Sequence, residues 1–169
     1  MIDNDELVEQ WFRMYADEMY NFLVYYTGST EVEDLVQEVF IKVIHSIDSF
    51  REESNPKTWL FKIARNVSID EARRNRRKLR KLIRYEREST TIKPKTPEAI
   101  FELKEDEKEL VQQINCLKDS YRDVLLVKGM KEFSTTETAT ILNWTENKVR
   151  VTYHRALKAL RRKVEKIEE

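Results

Sequence analysis

The chain has 169 residues, 37% of them charged, with 31 Lys and Arg balancing 31 Asp and Glu, and only two glycines and three prolines. So few turn formers exclude a many-stranded sheet and leave a helical chain of one domain or two small ones. No apolar run approaches a membrane span, the acidic start Met1-Ile2-Asp3-Asn4-Asp5-Glu6 is unlike an export signal, and a lone cysteine permits no internal disulfide, which together predict a cytoplasmic protein.

The zero net charge is an average over unlike segments. Residues 1–50 hold two basic against eleven acidic side chains, residues 51–92 thirteen against six, and residues 121–169 eleven against seven. Segregation of that kind predicts an anionic surface for a protein partner and cationic ones for nucleic acid.

In chain order, residues 5–27 place Val8, Trp11, Phe12, Tyr15, Met19, Phe22, Leu23 and Tyr26 at helical spacing, a core stripe ended by Gly28. Thr30 and Glu33 are spaced as a capping box for a helix over about 31–47. That helix is expected to bury Leu35, Val36, Val39, Phe40, Val43, Ile44 and Ile47 and to show Glu31, Asp34, Gln37, Glu38 and Lys42. An acidic face can dock on a basic partner or serve solubility alone.

Asn55-Pro56 suits a helix start, with Pro at the first helical position. The following stretch, Thr58 to Lys81, carries two kinds of chemistry. Leu60, Ile63, Ala64 and Val67 form a buried face, while Lys62, Arg65, Arg73, Arg76 and Arg80 repeat on another. A cationic helix with the Trp59 indole at its entrance suits a polyanion whose bases can be reached: Arg and Lys hold phosphates and the indole offers a stacking plane. The competing reading is a solvated, charged helix end.

Residues 89–97, with two prolines and no periodicity, are expected to form a flexible linker between domains at 1–88 and 98–169. Beyond it, Ile100, Leu103, Leu110, Val111, Ile114 and Leu117 predict a helix over 97–117, interrupted by the charged run 104–109. Cys116 is expected as a small core residue on it. Asp119 can cap a further helix closed by Gly129, and Ser134 with Glu137 forms a second capping box for a short helix through Leu142. Asn143 tolerates the left-handed turn that follows, and Thr145 can cap a last helix to about Val164 with Val149, Ala156, Leu157 and Leu160 inward.

Ala139 at the packing position, Asn143 at the turn and Val149 six residues on make the last pair a helix-turn-helix, with a plain basic helical hairpin as the competing reading. Its outward residues Lys148, Arg150, Val151, Thr152, His154, Arg155 and Lys158 can reach bases and phosphates in a major groove. His154 reads as a DNA contact, since with only His45 besides it and no cysteine cluster a zinc site is not expected. The fold class is therefore all-α: two small helical domains on a flexible linker, the second with a helix-turn-helix. No phosphate loop, nucleophile elbow or cofactor fingerprint is present, so neither an enzyme nor a bound cofactor is expected.

The arrangement resembles a bacterial RNA polymerase sigma factor of the compact extracytoplasmic-function type, which keeps the second and fourth sigma domains. Three blocks in family order carry the resemblance: Glu33–Phe40, Thr58–Asn66 with Ile69-Asp70, and Lys148–Arg161 with His154-Arg155-Ala156-Leu157. It implies that Asp34, Gln37, Glu38 and Phe40 dock on the polymerase clamp. It implies that Trp59, Lys62, Arg65 and Asn66 open the minus-ten element and capture a flipped base, with Arg73, Arg74 and Arg76 along the neighbouring phosphates. The last helix, through Lys148, Arg150, Thr152, His154, Arg155 and Lys158, would read the minus-thirty-five element. Implied partners are core RNA polymerase, promoter DNA and an anti-sigma factor, with no membrane insertion of this chain. Val151, apolar where many relatives are small and polar, and Asn143 at the turn depart from the family pattern and bear on promoter sequence. An ordinary helix-turn-helix regulator is the alternative; it would need a dimer surface or ligand pocket in the first half.

Overall fold

A computed structural model describes residues 3–52, 55–85 and 105–168. Among them every regular element is helical, and no helix is long and apolar enough to cross a membrane. The predicted linker at 89–97 lies outside the described residues.

The first bundle has three helices: α1 (Asn4–Thr27), α2 (Glu33–Ser46) and α3 (Pro56–Tyr85), with a 3₁₀ turn at Ile47–Ser49. The α1 stripe buries Val8, Trp11, Met19, Phe22, Leu23 and Tyr26, and Gly28 ends the helix at φ 68° with its amide on the Val24 carbonyl. Phe12, expected inside, is exposed on one side and keeps an edge contact to Phe40 at 4.9 Å. α3 starts at Pro56 as the sequence predicts, the Asn55 side chain accepting from the Lys57 amide. Its Leu60, Phe61, Ala64 and Val67 are fully buried, and Phe61 packs on Phe22 at 4.9 Å.

The capping box at Thr30 and Glu33 does not form. α2 begins two residues later than expected, behind Val32, which is fully buried and accepts the Val36 amide on its carbonyl. The Thr30 carbonyl is instead bonded by the Tyr20 hydroxyl. Burying a valine and tying the loop to α1 outweighs a side-chain cap worth about 1 kcal/mol. Ile44, expected inside α2, is exposed.

The second bundle comprises α4 (Glu105–Asn115), α5 (Asp119–Val124) continuing as a π-helical turn over Leu125–Met130, α6 (Thr135–Leu142) and α7 (Glu146–Glu168). α4 runs through the charged residues 105–109 without interruption, its acidic first turn complementing the helix dipole. Cys116 lies just past its end and is exposed, so the expected core position is corrected. The residue before α5 is Lys118, and Asp119 makes no capping bond. Nor does Gly129 close a helix. The left-handed residue after the π turn is Glu132, at φ 58°. The box at Ser134 and Glu137 forms in both directions, at 3.1 and 2.7 Å. Asn143 takes φ 56°, ψ 45°, and the Thr145 hydroxyl accepts the Lys148 amide at 3.1 Å. Val149 and Ala156 are fully buried, whereas Leu157 is exposed.

The two bundles are not separate beads. α6 packs along α3, and one apolar core runs from Val8 to Ala156 through Phe61 and Phe133, whose rings meet at 5.1 Å.

Candidate nucleic-acid interface

On α3, Lys62, Asn66 and Arg73 recur at whole helical turns and share one face, with Arg76 on its flank. Asn66, Arg73 and Arg76 are exposed and Lys62 is half-buried, so the structure brings these four together as a cationic strip. Trp59 is only half-exposed. Its ring is 6.0 Å from Trp11 and 5.1 Å from Phe50, so the indole is supported from below and presents only its outer part.

Two of the predicted cations leave the strip. Arg74 turns to α2 and bonds Glu38 at 3.1 Å and Glu71 at 2.9 Å; its pKa is raised by the Glu38 hydrogen bond first, then by the carboxylate charges. Arg65 points into the space between the bundles, where its guanidinium bonds Asp123 on α5 at 3.1 Å. Its side chain is 16% exposed and that of Asp123 9%.

Around this pair the two bundles form a seam. The Arg122 guanidinium lies over the Tyr26 ring at 5.5 Å and is 3.7 Å from Asp123. Burial first, and then the Asp123 charge, push the Tyr26 hydroxyl far above the usual tyrosine range. At the other end, Lys57 pairs with Glu18 at 2.7 Å and sits over both Phe61 and Phe133. Lys131 covers the Tyr25 ring, and burial lowers its pKa against the opposing pull of Glu18. A cleft of about 480 Å³ opens beside the pair, lined by Arg65, Arg73 and Arg76 from α3 and by Asp119, Arg122 and Asp123 from α5.

The second cationic surface is the outer face of α7. Lys148, Arg150, His154, Arg155 and Lys158 are exposed and Thr152 is half-buried, with Val151 exposed among them. Lys148 sits over the Trp144 ring at 4.3 Å and Arg150 is 3.6 Å from Glu146, both contacts open enough to exchange for phosphates. Ala139 is buried against this helix, giving the close approach that the turn needs.

The anionic surface lies on α2. Asp34 and Gln37 are exposed, Glu38 is half-buried between Lys42 and Arg74, and Phe40 is buried against Phe12, so Phe40 supports the face from inside. Asp34, Gln37, Ile41 and Ile44 fall on one stripe at three- and four-residue steps. Ile41 is 53% exposed, Ile44 52% and the neighbouring Phe12 47%. Sequence reasoning missed these apolar members because it placed Ile44 and Phe12 in the core; their alignment with Asp34 and Gln37 was the available signal. Among the described residues no group of His, Cys, Asp and Glu could hold a metal.

Residues 11–78 match the family described as sigma-70 region 2, and residues 107–160 the one described as sigma-70, region 4. The ECF RNA polymerase sigma factor SigX of Bacillus subtilis is 30% identical, the alignment covering 98% of this chain and 87% of that protein. The RNA polymerase sigma factor YlaC of the same organism is 32% identical over 96% of this chain and 94% of its own. Among solved structures, the sigma factor RpoE crystallised with the anti-sigma factor NepR from Bartonella quintana shares the fold at TM-score 0.73 and 24% identity, covering 93% of this chain and 96% of that one. CnrH in complex with the cytosolic domain of CnrY aligns at TM-score 0.69 and 19% identity, over 94% and 87%.

Proposed function

This chain belongs to the extracytoplasmic-function RNA polymerase sigma factors, and from that premise we propose how its surfaces divide the work. As a sigma factor it joins core RNA polymerase and directs it to promoters. The mixed acidic and apolar stripe of α2, Asp34, Gln37, Ile41 and Ile44 with Glu38 at its edge, docks on the polymerase. Its charges steer the encounter with a basic surface and its exposed isoleucines supply buried area. The strip Lys62, Asn66, Arg73 and Arg76 takes the minus-ten strand, with Arg65 completing it and Trp59 stacking on a captured base. Arg74 is a secondary contact, released from Glu38 when α2 docks. The α7 face, through Lys148, Arg150, Thr152, His154, Arg155 and Lys158, reads the minus-thirty-five element.

The division into a first domain within 1–88 and a second within 98–169 follows from this assignment. The chain acts as a non-enzymatic subunit in the cytoplasm, without a cofactor. Flipping a base costs a few kcal/mol, and stacking returns about 1–3 kcal/mol per base. Capture of one or two bases therefore offsets local opening once polymerase holds the strands. By analogy with the sigma factor RpoE solved in complex with the anti-sigma factor NepR, an anti-sigma protein is the expected antagonist.

One observation supports this division above the rest: a single chain carries two separate cationic helices and an acidic, apolar-edged helix on distinct surfaces. Run-off transcription with purified core enzyme on genomic promoters tests it. Promoter-dependent transcripts that need this chain are expected. Tight sequence-specific DNA binding by the free chain, with no RNA made alongside core enzyme, would refute it.

A further inference from the structure

Val149 and Ala156 are fully buried and hold α7 against its bundle. Asn147, Val151, His154 and Lys158 follow one another at four-, three- and four-residue steps along the opposite line, which makes that line the outermost ridge of the helix. All four are exposed. The first cations of α7 stand to either side of the ridge. Lys148 is drawn to the Trp144 ring at 4.3 Å on one flank, and Arg150 lies 3.6 Å from Glu146 on the other. A helix entering a major groove by its ridge brings such flanks to the phosphates and the ridge to the base edges. The N-terminal turns reach the bases, and there the ridge carries no charge: it is Asn147 and then Val151.

Each of these two has a base partner fixed by its chemistry. Among the described residues nothing hydrogen-bonds the Asn147 side chain. Its carboxamide therefore offers an acceptor and a donor in one plane, the pattern that adenine N6 and N7 match. Val151 is 40% exposed and offers only methyl groups. Set against a phosphate, or against an amino or carbonyl edge, it would strip water from a polar group and return no hydrogen bond. The apolar group that a major groove presents is the C5-methyl of thymine. The two positions are about 6 Å apart along the helix axis, close to two base-pair steps of about 3.4 Å.

We propose that Asn147 and Val151 are the specificity-determining pair of α7: Asn147 takes an adenine edge, and Val151 the C5-methyl of a thymine within about two base pairs of it. The proposal rests on reading α7 as the minus-thirty-five reader and adds which bases that reader selects. Lys148, Arg150 and Arg155 then supply affinity with little regard to sequence, while the ridge supplies the choice. A surface valine standing singly needs no ligand. Val151 differs by its place, on the ridge between a free carboxamide and an imidazole with cations on both flanks.

The test uses holoenzyme reconstituted from the full chain and core RNA polymerase, on a promoter whose run-off transcript requires this chain. Each thymine of the minus-thirty-five element, on either strand, is replaced in turn by deoxyuridine, which keeps every hydrogen-bonding group and loses only the methyl. With the wild-type chain one such replacement should weaken promoter binding about fourfold, the worth of one buried methyl-sized group. Val151→Ala should bind the unmodified promoter more weakly by a similar factor and be indifferent to deoxyuridine at that position. Each adenine within two base pairs of that thymine is then replaced by a deaza-adenine lacking N7. One replacement should cost the wild-type chain about fivefold or more and cost Asn147→Ala nothing. Lys158→Ala, a change to a cation further along the ridge, should weaken binding to all templates evenly and keep both sensitivities. Wild-type binding that no deoxyuridine changes overturns the proposal, as does a deoxyuridine effect of equal size in Val151→Ala. Equal deaza-adenine effects in the wild type and Asn147→Ala overturn the adenine half. Chain-dependent transcripts with neither sensitivity sink the pair alone, whereas the absence of such transcripts at every promoter sinks the reading of α7 and the pair with it.

Discussion

Trp59→Ala separates the two things the indole is asked to do. As a support, its ring meets Trp11 at 6.0 Å and Phe50 at 5.1 Å, in edge and tilted geometries. Aromatic pairs of this kind contribute about 0.5–1.5 kcal/mol each beyond area burial, so losing both costs about 1–3 kcal/mol. For a chain of this size that lowers the melting temperature by about 2–12 °C. As a stacking plane, the ring supplies about 1–3 kcal/mol to one captured base, equivalent to about 5–150-fold in the opening equilibrium. The assay is permanganate reactivity of promoter thymines with reconstituted holoenzyme, run below the variant's melting temperature, with copurification measuring polymerase binding. Reduced reactivity with polymerase binding retained is expected, and Trp59→Phe should recover most of the opening. A folded Trp59→Ala protein that binds core enzyme and opens the promoter like wild type would reduce Trp59 to packing and refute the reasoning.

Asn143 holds φ 56° between α6 and α7, so Asn143→Val should lower the urea midpoint by an amount worth about 1–2 kcal/mol while Asn143→Gly stays near wild type. Asp34→Lys and Ile41→Ala should each weaken core polymerase binding in a pull-down titration, the first with a reduced dependence on salt and the second without one, and neither should alter DNA contacts of α7. Alkali gives a signed test. Tyr26 keeps its proton above the range in which an unfolded tyrosine loses it, near pH 10, so the native state binds the extra proton and stability should fall as pH rises past about 10. Tyr26→Phe should flatten that fall. Lys131, whose folded pKa is lowered by burial, works the other way: stability gains as pH climbs from its folded to its unfolded value. Equilibrium unfolding at a series of pH values reads both slopes.

Local rules carried the parts of the fold whose physics is local. Ser134 with Glu137, Asn143, Thr145 and Pro56 each act on backbone within a few residues, and each stands where its chemistry asks. The same pattern at Thr30 and Glu33 failed because Val32, between them, is drawn into a core assembled from distant residues. Helical periodicity likewise gives a stripe but not its width, so Phe12, Ile44 and Leu157 were counted inside while the neighbouring bundle stops short of them. The seam was the least legible part, since its central pair is separated by 58 residues. One sign of it was available: Asp123 immediately precedes the run Val124-Leu125-Leu126-Val127, and an acid bound for an apolar interior needs a cationic partner. Which of the many arginines answers it depends on how the bundles dock. That same docking removes Arg65 from the strip where spacing alone had placed it.

The seam and the core answer damage differently. Phe22 and Phe61 pack within the first bundle with no way to separate short of unfolding, so truncating either costs the full about 3–5 kcal/mol of a large core ring. Removing one partner of a buried ion pair costs a similar about 3–5 kcal/mol when the remaining charge must stay buried. Arg65 has an alternative, because parting the bundles returns it to water. The loss there is truncated at the free energy of docking, and the excess never reaches either bundle's own stability. Each unpaired buried atom at Arg65, Arg122 and Asp123 subtracts about 1–3 kcal/mol from docking in the same way, against the packing of α6 along α3, Phe61 on Phe133, the cations over Tyr25 and Tyr26 and the Arg65–Asp123 bond. A partner needs only a differential affinity larger than that remainder to shift the population.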